Sequence, residues 1–102
     1  MLFGYRLTSE AASDIKGILD YTLDRWGADQ AEKYVFQLEQ CLRDLVSGRR
    51  SGKSASDELP EVRVVHCEHH YVFYITQDSM LAVVAILHEA MDLVSRLRER
   101  LE

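Results

Sequence analysis

Two apolar runs lie close together in the last third of the chain, His70-Tyr71-Val72-Phe73-Tyr74-Ile75 and Leu81-Ala82-Val83-Val84-Ala85-Ile86-Leu87, and they limit the fold more than any other feature. β-Branched and aromatic side chains suit a pleated, half-buried surface, and the polar break Thr76-Gln77-Asp78-Ser79 is short enough to turn one run back on the other. A buried hairpin is expected. The second run ends on His88-Glu89-Ala90-Met91-Asp92, a polar strand exit where either chemistry or a partner contact could sit.

The rest of the chain supplies a layer to cover that hairpin. Leu2 to Leu7 reads as a short first strand, and Thr8-Ser9 offers N-cap side chains for a helix in which Ala12, Ile15, Leu19, Thr22 and Trp26 recur at helical spacing. Gly27 ends that helix. A second one runs from Ala28 or Asp29 to Gly48, with Ala31, Val35, Leu38, Leu42 and Leu45 down one face, and the single-residue junction folds the two into an antiparallel hairpin. Residues 48–60 are rich in Gly and Ser without apolar periodicity, and read as a long mobile loop. Three antiparallel strands follow as a meander, Val62 to Cys67, Tyr71 to Thr76 and Met80 to Leu87. A short C-terminal tail helix spans 92–102, with Leu93, Leu97 and Leu101 on one face. The expected architecture is a single α+β domain over residues 1–102, with a four-stranded sheet covered by the helical hairpin.

Charge and motif content narrow the chemistry. A net charge of −5 over 102 residues disfavours direct nucleic-acid binding, because neutralising phosphates requires a basic surface. Cys41 and Cys67 are too few for a disulfide framework and read as small core residues in a reducing compartment, which makes the cytoplasm the expected location. No segment approaches the length of a membrane span. His88-Glu89-Ala90-Met91-Asp92 has Asp where the zinc motif HExxH needs its second His, and His66, Cys67, His69 and His70 read as a turn with solvated histidines; no metal and no cofactor are expected. Ser51, Ser54 and Ser56 lack a nucleophile elbow, and Gly48 and Gly52 are too close together for a phosphate-binding loop.

Tyr5-Arg6-Leu7-Thr8-Ser9-Glu10-Ala11, Asp20-Tyr21 and Arg25-Trp26-Gly27 followed by Gln30-Ala31-Glu32-Lys33-Tyr34 resemble the ParE toxins of the RelE/ParE superfamily. Gly48-Arg49-Arg50-Ser51-Gly52, His70-Tyr71-Val72-Phe73-Tyr74 and Ile86-Leu87-His88 with Met91-Asp92 continue the pattern in the same order. The resemblance covers nearly the whole chain. It implies a bacterial toxin of a type II toxin-antitoxin pair that inhibits DNA gyrase through protein binding, is not an enzyme, and is neutralised by a ParD-like antitoxin whose C-terminal segment wraps it.

RelE-type relatives on the same fold cleave messenger RNA in the ribosome. That alternative would rest on His88 at the end of the last strand and Arg63 on a neighbouring strand, a thin set of charges for phosphoryl transfer. A third class is a non-toxic member that only binds antitoxin. For the partner-binding reading the candidates are the cations Arg49, Arg50, Lys53, Arg63, Arg96, Arg98 and Arg100, weighed against plain solvation of a loop and favourable charge at a helix C-terminus. The antitoxin segment is expected along the groove between helical hairpin and sheet.

Overall fold

The computed structural model describes residues 2–90 and 93–101, the side chain of Val94 excepted. Its elements run β1 (Gly4–Leu7), α1 (Ser9–Trp26), α2 (Ala28–Ser47), β2 (Lys53–Ser56), β3 (Leu59–Cys67), β4 (His70–Gln77), β5 (Met80–His88) and α3 (Leu93–Leu101). The junction expected at Met91 and Asp92 lies outside the described residues.

Local chemistry accounts for the helix boundaries. Thr8 caps α1 by accepting from the Ala11 amide at 3.2 Å. Gly27, at φ 90°, closes α1 by donating to the Leu23 carbonyl and opens α2 by accepting from Ala31, so one residue turns the chain from one helix into the next. Gly48 takes the left-handed conformation that ends α2. On α2 the buried face is Ala31, Tyr34, Leu38, Cys41, Leu42 and Leu45. On α1 the buried stripe is rotated from the expected one: Ala11 and Thr22 are buried, Ile15 and Ile18 partly so, and Trp26 is 70% exposed.

The sheet is five-stranded and mixed, in the order β1-β5-β4-β3-β2, not four-stranded. The difference comes from two edges. β2 occupies the middle of the segment expected to be a loop from 48 to 60, pairing antiparallel with β3 through Lys53↔Val64 and Ser54↔Arg63. Its polar sequence, Lys-Ser-Ala-Ser, suits an edge strand with one side in solvent, which is why apolar periodicity does not mark it. β1 lies parallel to β5, from Gly4↔Met80 to Leu7↔Val83, while β2 to β5 form a continuous antiparallel meander. The β4–β5 turn places Asp78 and Ser79 both at positive φ, as a two-residue hairpin requires.

Both faces of the sheet are covered. Val65, Cys67, Val72, Tyr74, Leu81, Val83 and Ile86 pack against α1 and α2, whereas Val62, Phe73, Val84, Ala85 and Leu87 pack against Leu93 and Leu97 of α3. In β5 the switch of face occurs at a bulge: Phe73 pairs with Ala85 and Tyr74 with Val83, leaving Val84 as the extra residue. This bulge lets nearly every residue of β5 be buried, some toward each layer.

A disulfide joins Cys41 of α2 to Cys67 of β3. This corrects the reading of the two as separate core residues. Both are indeed buried, but the α2 face and the end of β3 bring them together across 26 residues of sequence.

Candidate functional site

An open cleft of about 1040 Å³ runs between the helical hairpin and the end of the sheet. α1 lines it with Asp14, Gly17, Ile18, Tyr21, Thr22 and Trp26, α2 with Gln30, Lys33, Tyr34 and Gln37, the β3–β4 turn with Glu68 and His69, and the sheet with His70, Ile86 and His88. Tyr21 and Trp26 are exposed there, at 59% and 70%. Arg25 stacks over the Tyr21 ring at 5.3 Å. Exposed, rigid aromatic rings beside a concave surface are features of protein-binding sites, because they bury much area at small entropy cost.

The floor of the cleft is a small polar network. The Tyr34 hydroxyl accepts from the His69 amide at 3.0 Å and lies 2.6 Å from His70 Nδ1. With the hydroxyl donating to Nδ1, His70 keeps its own proton on Nε2 and stays neutral. Burial, reinforced by the neighbouring His88 and His69, pushes the His70 imidazole down to about 4. The same burial raises Tyr34 above the ordinary phenol value. The His88 ring stands perpendicular to that of His70 at 5.2 Å.

At the rim, Glu89 binds His66 at 2.7 Å and His69 at 3.2 Å, and its amide donates to the His69 carbonyl, so the strand exit is fastened to the β3–β4 turn. Those two imidazoles hold the Glu89 carboxyl below the usual carboxylate range through their hydrogen bonds. Among the described residues no group of three His, Cys, Asp or Glu side chains is arranged to hold a metal ion.

The two residues of the RNA-cleaving alternative stand apart. Arg63 pairs with Tyr74, which pairs with Val83, and His88 lies five residues further along β5. At the usual strand rise that is roughly 17 Å. His88 instead accepts from the Ala90 amide at 3.1 Å, and Arg63 donates to the Gly52 carbonyl.

The seven cations considered for partner binding divide into two kinds. Arg49 and Lys53 are exposed at either end of the bend between α2 and β2, and Arg96 is exposed with Glu99 at 3.8 Å. The others bond to other parts of the fold. Arg50 donates to the His66 carbonyl and approaches Cys41 Sγ at 3.1 Å, and Arg63 secures Gly52. Arg98 pairs with Glu58 at 2.6 Å, and Arg100 grips Asp14 with two nitrogens while donating to the Val84 carbonyl at 2.9 Å. None of the seven lines the cleft. The large aromatic residues on its α1 wall are Tyr21 and Trp26, which carry no charge to mark them. Their signal in the sequence was two large rings five residues apart beside the Gly27 turn, where a helix end has little left to pack on.

Comparison with known proteins places this architecture. Residues 5–93 match the family model of the ParE toxin of the type II toxin-antitoxin system parDE. The chain is 46% identical to Toxin ParE of Escherichia coli over 96% of both chains, and 34% identical to Toxin ParE1 of Mycobacterium tuberculosis over 86% of this chain and 91% of that one. Its fold is similar to that in a chromosomal ParDE toxin-antitoxin system from P. aeruginosa, with a TM-score of 0.72 at 21% identity over 85% of this chain and 96% of the other. A toxin-antitoxin complex RelBE2 of Mycobacterium tuberculosis is similar in fold at a TM-score of 0.58 and 18% identity, over 87% of this chain and 100% of that one. The match over most of its length shows that this chain belongs to the ParE toxin family of type II toxin-antitoxin systems.

Proposed function

We propose that the chain acts as a protein-binding toxin that inhibits DNA gyrase, and that a ParD-like antitoxin neutralises it by seating a segment in the cleft between the helical hairpin and the sheet. The observation that carries this reading is the cleft itself, walled by exposed Tyr21 and Trp26 and floored by buried, neutral His70. Such a surface suits a peptide with apolar anchors, and its open shape admits a chain segment. The non-enzymatic reading draws support from the separation of Arg63 and His88, since phosphoryl transfer needs groups converging on one phosphate.

Purified chain added to gyrase and relaxed plasmid is expected to block supercoiling and to accumulate cleaved DNA, and an equimolar ParD-like antitoxin to reverse both effects. Undisturbed supercoiling, together with transcript cleavage in a ribosome-containing translation mixture that His88→Ala abolishes, would establish the RNA-cleaving alternative. Normal growth on induction without antitoxin would establish a member that only binds antitoxin.

A further inference from the structure

The Cys41–Cys67 bond has an unusual neighbour. The Arg50 guanidinium lies with Nη1 3.1 Å from Cys41 Sγ and 4.0 Å from Cys67 Sγ, and is held there by its Nη2 bond to the His66 carbonyl and by its amide, which donates to the Asp44 carbonyl. A neutral disulfide sulfur is a weak acceptor and gains little from a full positive charge. A thiolate in the same place gains a great deal. Among the described residues the side-chain bonds of Arg50 go to a backbone carbonyl and to sulfur rather than to a carboxylate, so its charge is directed at the cysteine pair.

We propose that Cys41 and Cys67 are a reversible thiol–disulfide site for small thiols and disulfides, with Arg50 as the positioning cation that stabilises Cys41 as a thiolate when the pair is open. In the reductive direction the thiolate of an external dithiol attacks Cys67 Sγ. A new S–S bond forms as the Cys41–Cys67 bond breaks, and the electron pair leaves on Cys41 Sγ beside Arg50. The second thiol of the reductant, on losing its proton, then closes its own disulfide and expels the Cys67 thiolate, which takes up a proton. Two electrons pass from the dithiol to the protein, and a small disulfide runs the sequence backwards.

Both sulfurs are buried, so exchange requires local opening of the bend that carries Arg50. The bond also ties together two walls of the cleft: Cys41 follows Tyr34 by two turns on the buried face of α2, and Cys67 immediately precedes Glu68, His69 and His70.

The test equilibrates the full chain in graded redox buffers of glutathione and of dithiothreitol, traps free thiols by alkylation, counts them by mass and follows the fold by circular dichroism. The pair is expected to open and close completely with the fold retained. Arg50→Gln is expected to require on the order of tenfold more reductant for half-opening, and to move the pH midpoint of Cys41 alkylation upward in the reduced protein. Arg50→Lys, which keeps the charge, should recover part of both shifts. Two thiols that stay free under oxidising buffer, or a bond that opens only as the chain unfolds, would overturn the reversible site. An Arg50→Gln chain with an unchanged half-opening ratio and alkylation profile would overturn the role of Arg50.

Discussion

Arg100 on α3 and Asp14 on α1 belong to layers on opposite faces of the sheet, and they meet across its edge in a two-pronged pair at 3.0 and 3.1 Å. The meeting point is where β1 stops. β1 pairs with β5 only as far as Leu7↔Val83, and from Val84 onward the edge of β5 would be open. Arg100 caps the Val84 carbonyl at 2.9 Å and Asp14 the Ile86 amide at 2.9 Å, so two side chains do for this stretch what a neighbouring strand would otherwise do.

Arg100→Ala should therefore unfasten α3 from the rest of the protein. The pair is largely shielded, at 20% and 17% side-chain exposure, so its loss is placed between exposed and fully buried ion pairs, at about 2 kcal/mol. Urea unfolding measures that loss. Hydrogen exchange should show faster opening of residues 93–101 and of Val84 and Ile86 than of β3, and Arg100→Lys should restore only part because it lacks the two-pronged geometry.

Stability should fall on the acid side of neutrality because of His70. Its imidazole is held down to about 4 in the folded chain by burial, against 6.5 when unfolded. Between those values the unfolded chain binds a proton that the folded chain refuses, so stability is full above pH 6.5 and drains away as the pH falls toward 4. The total loss is about 3 kcal/mol at the usual rate per unit. Urea midpoints across that range, compared with His70→Asn, check the sign: the variant should have a flatter acid limb, and an unchanged slope would refute the assignment to His70.

Gly52→Ala should be destabilising although the site lies in a polar bend. A Cβ there would stand 2.6 Å from the Tyr74 hydroxyl oxygen and 2.8 Å from the Val64 carbonyl, where the Gly52 amide now donates to Tyr74 at 2.9 Å. Overpacking of this kind costs about 2 kcal/mol. Adding Tyr74→Phe should recover only part of the thermal midpoint, since the Val64 backbone remains in the way.

Trp26→Ala should leave the fold intact and weaken antitoxin capture. The ring is mostly solvent-exposed, so the thermal midpoint should move little, while a central aromatic anchor typically accounts for on the order of 2 kcal/mol of binding. Calorimetric titration with the antitoxin should show about a thirtyfold loss. Lys53→Glu, on the edge strand and outside the cleft, should leave that affinity unchanged.

The sequence was most readable where one physical requirement acts alone. Thr8, Gly27 and Gly48 punctuate the helices because caps and left-handed turns are local, and the hairpin strands β4 and β5 show themselves because burial on both faces leaves nearly continuous apolar runs. β2 was unreadable because its polar side chains follow from being at an edge, and edges are assigned by the rest of the sheet. The parallel seating of β1 on β5 is likewise decided by how the chain returns after two helices.

The site was less legible than the fold because a long cation has two uses that look the same in sequence. Arg50, Arg63 and Arg100 each donate to a backbone carbonyl, of His66, Gly52 and Val84, a use that leaves no mark in the sequence to tell it from a free surface charge. Trp26 read as core for the opposite reason. Its spacing fits a buried stripe, but the stripe on α1 turns toward Ala11, Ile18 and Thr22.

The bond from Cys41 to Cys67 makes a closed ring of the chain between them, and that ring contains the whole of β2 and the bend before it. A protease cutting once within 48–60 would sever the backbone without separating the pieces. Under denaturing conditions the two pieces would still travel as one mass until a reductant was added, so a cut in the polar segment around β2 is one that the covalent structure conceals.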